Sequence, residues 1–167
     1  MSFVRPNRYV SSVDAIRADE LVAQGVRCVL LDRDNTIVPR DTRQAPPEVC
    51  AWLEELYERD IAVCMVSNNY HTREVCASAQ ELGCAVVHHA MKPAPVAIYV
   101  ALATMGVAAE QTVLIGDQLF TDMIAGNLAG VRTILVLPQS QEDLWYTQLF
   151  RKVERALLRD VSFEETT

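Results

Sequence analysis

The sequence predicts a doubly wound α/β fold, a parallel sheet covered by helices on both faces, and three observations carry that expectation. Short apolar runs with no polar alternation (VRCVLL, IAVCMVS, CAVV, TVLIG and RTILVL) are interleaved with helical patterns. Polar residues able to do chemistry stand at the carboxyl ends of these runs, where sheets of this class bind ligands. At 167 residues and 50% hydrophobic content, the chain suits one domain over residues 1–167 with a sizeable core.

Ser11 or Ser12 opens the first expected helix, SSVDAIRADELVAQG, in which Val13, Ile16, Leu21 and Val22 form an apolar set and Gly25 marks the stop. Val26 to Leu31 then reads as a strand buried on both faces, because nothing polar interrupts it. A helix over about Pro46 to Arg59 leads into IAVCMVS, and one over about His71 to Leu82 leads into CAVV. A helix after Lys92 precedes TVLIG, and a helix from Leu119 to Ala129 precedes RTILVL. The last helix, about Gln141 to Leu158, carries Leu144, Trp145, Leu149, Val153 and Leu157, a set that predicts packing onto the domain. Ser162 to Thr167 is expected to fray.

The net charge of -7 argues against nucleic acid as a partner, since counterion displacement needs a basic surface. Five cysteines without a CxxC pair predict no disulfide framework, and Cys28, Cys64 and Cys84 lie where a small hydrophobe would pack. Together with an N-terminus, MSFVRPNRYV, that lacks a long apolar stretch, this predicts a reducing, cytoplasmic setting. No run approaches the ~18 apolar residues of a membrane span.

Side chains two apart on a strand share a face, so Asp32 and Asp34 should begin on a common side at the end of the first long apolar run. Two adjacent carboxylates repel, which calls for a shared proton, a divalent metal, or both. Asp117 offers a third carboxylate, and an all-oxygen donor set that also contacts phosphate suits Mg²⁺. Lys92 adds a positive charge, and Ser67 with the backbone N–H groups after it can cradle phosphate oxygens. One carboxylate can then attack phosphorus while its neighbour protonates the leaving oxygen and later deprotonates water.

The order DxDxT, a strand-end serine, KP and GDxxxxD, spread over Asp32 to Asp122, resembles the haloacid dehalogenase (HAD) superfamily of aspartate-nucleophile phosphatases. The stretches DRDNTIVPR, VSNN, GDQLFTDMIAGNLAG and RTILVLP resemble its YqeG-type members of subfamily IIIA, whose relatives include phosphatidylglycerophosphate phosphatases. The resemblance implies a HAD-type fold, with Asp32 as nucleophile, Asp34 as general acid/base, and Ser67 and Lys92 on the phosphoryl group. It also implies Mg²⁺ held by the Asp32 and Asp117 side chains and the Asp34 backbone carbonyl. The substrate class it implies is a phosphate monoester, with a glycerophospholipid headgroup as one candidate and a sugar or nucleotide phosphate as another.

Roughly 30 residues separate Asp34 from Ser67 and about 25 separate Ser67 from Lys92, each filled by one helix and one strand, so no cap domain is expected. An uncapped site would be open to a large substrate, to a bilayer, or to cover by a second subunit in a homo-oligomer. Asp122 is expected to stand near the metal, to orient Lys92, or only to cap a helix, and Thr36, Asn35 and Asn68 either fix the phosphate loop or satisfy its turns. Asn68 is the expected phosphate contact among these. His88 and His89 lack a third ligand at metal spacing and read as a solvated loop, while Arg40, Arg43 and His89 are candidates for the rim. Arg151, Arg155 and Arg159 would stripe one helix face, which allows peripheral membrane contact as well as a favourable helix terminus. A phosphoacceptor receiver module uses similar residues but places its acceptor aspartate after the third strand, where this chain has VVHH. A non-catalytic scaffold would have no chemical need for the whole set.

Overall fold

The structure, a computed structural model, describes residues 3–140, 152–154, 156–159 and 161–165. Six strands form one all-parallel sheet: β1 (Arg8–Val10), β2 (Cys28–Leu31), β3 (Ala62–Val66), β4 (Ala85–Val87), β5 (Thr112–Gly116) and β6 (Arg132–Val136). Helices α1 (Ala18–Ala23), α2 (Pro47–Glu58), α3 (Thr72–Glu81), α4 (Val96–Met105) and α5 (Ile124–Ala129) connect them.

Strand alternation sorts the core into two layers. Val29, Leu31, Val63, Met65, Val113 and Ile115 pack with Leu21 of α1, Trp52, Leu53 and Leu56 of α2, and Val75 of α3. Cys28, Leu30, Cys64, Val66 and Leu114 face the other way, onto Ile98 and Ala101 of α4 and Ala125 and Ala129 of α5. A fully buried aliphatic side chain contributes about 2 kcal/mol, so burial on both faces holds strands only a few residues long. Burial also pushes the Cys28 thiol up to about 11 and Cys64 up to about 12, which keeps both as inert packing groups.

The strand order β1-β6-β5-β2-β3-β4 fixes where a ligand can sit. From β2 the chain moves outward to β3 and β4, then returns to the other side of β2 for β5 and β6. The direction of winding therefore reverses between β2 and β5, and the crevice beyond their carboxyl ends lies at that switch point. Leu31 pairs with Ile115 there, and the Asp32 N–H donates to the Ile115 carbonyl at 2.9 Å.

Four expectations change. The first helix is two pieces, a 3-10 turn at Val13–Ala15 and then α1, because Ile16 is extended and its carbonyl accepts the Trp52 indole N–H at 2.7 Å. Ser12 makes no side-chain cap there. The segment from Leu119 to Ala129 opens with a π-helical turn, Leu119–Met123, before α5. Strand β1, which the apolar pattern does not show, adds to the edge of β6. The tail expected to fray is tied to β1, since Ser11 N–H donates to the Glu164 carbonyl at 2.8 Å and Glu164 N–H to the Tyr9 carbonyl at 2.9 Å.

Most of the helix expected over 141–158, with Leu144, Trp145, Leu149, Arg151 and Arg155, lies outside the described residues. Of its apolar set, Val153 and Leu157 are exposed rather than packed on the sheet, while Glu154 is buried. No helix among the described residues is long and apolar enough to cross a membrane.

Candidate active site

Asp32 follows β2, Ser67 follows β3, Asp117 follows β5, and Lys92 lies on the loop after β4, so four strand ends converge on one place. The Lys92 ammonium is the centre of it. Its Nζ donates to Asp32 Oδ1 at 2.7 Å, to Asp122 Oδ1 at 2.6 Å and to the Val66 carbonyl at 2.8 Å. The Thr36 hydroxyl donates to Asp117 Oδ1 at 3.2 Å and lies 3.5 Å from Asp32 Oδ2.

All these side chains are buried. Burial pushes the Asp32 carboxyl up to about 6, against the pull of Lys92 and with the help of Asp122 and Asp34 nearby. Burial alone would lower Lys92, yet Asp122 and Asp32 carry its ammonium above the ordinary lysine value. The lysine is therefore a fixed charge, and burial leaves Asp32 able to hold a proton closer to neutrality than an ordinary carboxyl group.

Asp34 does not share this cluster. The strand ends at Leu31, and the chain turns through Asn35 at φ 63°, so strand alternation no longer applies. Asp34 Oδ1 is bound by Arg33 Nη1, while Oδ2 accepts from Asn69 Nδ2 at 2.9 Å and meets Arg40 Nη2 at 3.3 Å. Asp32 and Asp34 line one cavity, consistent with the expected common side, but have separate sets of partners.

Asn68, expected to touch phosphate, lines the cavity that opens above the cluster and also ties two loops together. Its Nδ2 donates to the Lys92 carbonyl at 2.9 Å and its Oδ1 accepts the Lys92 N–H at 2.8 Å, which leaves the second N–H of the amide. Ser67 is buried, and its hydroxyl oxygen accepts the Asn69 N–H at 3.1 Å.

Asp122 turns toward Lys92, from whose ammonium it accepts a hydrogen bond. Its Oδ2 accepts the Gln118 N–H at 3.1 Å, fixing the carboxylate toward Lys92. Gly116 makes this possible, since a Cβ there would stand 2.4 Å from the Asp122 carboxyl group. Gly116→Ala is expected to cost about 2 kcal/mol by overpacking and to lose most activity with it. A variant matching the parent in melting temperature and turnover would show that Asp122 can move aside. Behind this turn, Glu154 Oε1 accepts the Leu119 N–H at 2.8 Å, a partner that its place in the arginine pattern did not suggest.

Above the cluster opens a cavity of about 340 Å³ lined by Asp32, Asp34, Ser67, Asn68 and Lys92, with Arg40, Arg43 and Tyr70 among its outer residues. Arg40 and Arg43 thus occupy the rim as expected. His89 does not line it, because its ring lies 5.4 Å from that of Tyr70 and beside the exposed His88. Asp32, Asp117 and Asp122 offer carboxylate oxygens within 4.8 Å of one another. Three buried carboxylates around one ammonium leave excess negative charge, and the donors are all oxygen, so the residues present fit a hard divalent cation.

A HAD-hydrolase-like family model matches residues 89–148. The probable phosphatase YqeG of Bacillus subtilis is 37% identical over 156 residues, covering 93% of this chain and 90% of that protein. The chloroplastic/mitochondrial phosphatidylglycerophosphate phosphatase 1 of Arabidopsis thaliana is 28% identical over 173 residues, covering 94% of this chain and 48% of that one. Among solved structures, the 3-deoxy-D-manno-octulosonate 8-phosphate phosphatase of Yersinia pestis superposes with a TM-score of 0.55 at 19% identity, over 92% of this chain and 76% of that one. At that identity the likeness is one of fold.

Proposed function

Because the chain belongs to the HAD superfamily and is a YqeG-like phosphatase, we propose that it hydrolyses phosphate monoesters through an aspartyl-phosphate on Asp32, aided by Mg²⁺. The observation that carries this reading is the Asp32 carboxylate at the switch point of the sheet, 2.7 Å from the Lys92 ammonium and open to the cavity.

In the first step an Asp32 oxygen attacks phosphorus, the bond from phosphorus to the ester oxygen breaks, and the leaving oxygen takes a proton from Asp34. In the second step Asp34, now a carboxylate, takes a proton from water as that water attacks phosphorus. The bond to Asp32 breaks, releasing inorganic phosphate and restoring both carboxyl groups. Lys92 and Ser67 hold the phosphoryl oxygens, and the three-way hold on Lys92 keeps its charge in place without reorganisation. Asp32, Asp117 and Asp122 would hold Mg²⁺, which when bound supplies positive charge to the phosphoryl oxygens.

The substrate we favour is phosphatidylglycerophosphate, supported by the name of the Arabidopsis relative and by an open cavity with arginines at its rim. Such a substrate would bring the protein to a membrane surface from the cytoplasmic side. A small sugar phosphate is the second reading, supported by the name of the structural neighbour. Phosphate release from both classes, in vesicles and in solution, with Asp32→Asn as control, decides between them. Turnover confined to soluble sugar phosphates would reject the lipid.

The metal makes a further test. Since Asp32 holds its proton up to about 6, ion and proton compete for the same oxygen. Mg²⁺ affinity measured by calorimetry is expected to fall as pH drops through about 6 and to level off above it. Affinity unchanged between pH 5 and pH 7.5 would remove Asp32 from the ion's ligands.

A further inference from the structure

We propose that Arg33 is a positioning residue for Asp34, anchoring the acid/base carboxyl group to helix α3 through Ser78. The proposal rests on the reading of Asp34 as general acid/base.

Arg33 is only 5% exposed, in a loop where an arginine without a task would reach water. Its guanidinium joins two elements: Nη1 holds Asp34 Oδ1, and Nε donates to the Ser78 hydroxyl of α3 at 3.0 Å. The guanidinium is planar with fixed donor directions, so fastening one end to a helix fixes the orientation of the other. The bond to the next residue in sequence is possible because the loop folds back on itself. Asn35 has a positive φ, and the Arg33 carbonyl accepts the N–H groups of Thr36, Ile37 and Val38 at 3.3, 3.1 and 3.0 Å. Asn69 and Arg40 hold the other carboxyl oxygen, Oδ2, and Arg40 is the more exposed of the two arginines. Arg33 is thus the buried constraint on the direction of Oδ1.

A carboxyl group that is present but misdirected transfers its proton late, and the loss grows with the basicity of the leaving oxygen. A merely structural defect lowers all substrates alike. Rates on ring-substituted phenyl phosphates, from 4-nitrophenyl to unsubstituted phenyl, separate the two. Arg33→Met is expected to lose about 30-fold on phenyl phosphate and under about threefold on the 4-nitrophenyl ester, a part of what full loss of a general acid costs. Ser78→Ala leaves the buried Arg33–Asp34 pair and the fold intact, and is expected to show the same bias at about threefold.

Asp34→Asn serves as the reference and should give the steepest dependence on leaving group. A steep Asp34→Asn profile with parent-like profiles for Arg33→Met and Ser78→Ala would overturn the proposal. If Arg33→Met does not fold, Ser78→Ala decides alone by the same criterion. A parent-like profile for Asp34→Asn itself would overturn the acid/base reading and this proposal with it.

Discussion

Asp32→Asn protein is expected to release no phosphate from any ester while folding as well as the parent. The amide is nearly isosteric, and its oxygen can still accept the Lys92 ammonium that Asp32 Oδ1 accepts at 2.7 Å. The neutral amide, however, lacks the anionic oxygen that forms the acyl phosphate, and its nitrogen lone pair is delocalised into the carbonyl, so a loss of at least about 10⁴-fold is expected. The sign of the stability change follows from the raised pKa. An acid that binds its proton more tightly in the folded than in the unfolded chain favours folding at low pH, and this support declines as pH rises through about 6. At neutral pH the ionised Asp32 is therefore a burden on the metal-free fold, and the asparagine should melt at or above the parent temperature. Melting curves and intact-mass measurement on quenched reactions check both halves. Near-parent turnover would place the nucleophile elsewhere.

Lys92→Met is expected to be damaging in both respects. The lysine is 5% exposed and satisfies two carboxylates and the Val66 carbonyl at once. Removing it leaves like charges facing each other without a counter-charge, at a cost of about 3–5 kcal/mol in metal-free protein. Activity should fall by about 10³-fold, as when an electrostatic donor to a transition state is lost. Adding Asp122→Asn separates the two effects, because it relieves the repulsion and restores no cation. The double variant is expected to regain stability and remain inactive. Equal loss of stability in single and double variants would mean that Lys92 and Asp122 are not coupled, contrary to their 2.6 Å contact.

Much of the site was legible in the chain because its residues sit at the ends of apolar runs. Asp32, Ser67 and Asp117 each follow such a run, and a carboxylate is too costly to bury unpaired inside a strand covered on both faces. The helices α2 and α3 and the strand β5 were legible for the same reason: their patterns are strong over their own length. The partners of Asp34 were not, since the alternation used to orient it stops at Leu31, where the strand does. Arg33 gave no signal of its own in the sequence, because the partner of its Nε, Ser78, lies 45 residues away. Asp122 could also be read as a cap, and the π-helical turn Leu119–Met123 turned it toward Lys92.

The amino-acid pattern by itself determined a parallel sheet covered on both faces and the set of residues standing at its carboxyl edge, since both follow from periodicity within a few residues. Tertiary structure decided which of those residues touch. The reversal of winding between β2 and β5 brings Asp32 beside Asp117, and the fold of the loop after β4 carries Lys92 60 residues back to Asp32. It also decided the edges: β1 and the Glu164 segment pair only because β6 leaves one side of the sheet open to them. Short-range periodicity cannot encode such pairings, because their strength comes from burial and charge shared between segments far apart in the chain.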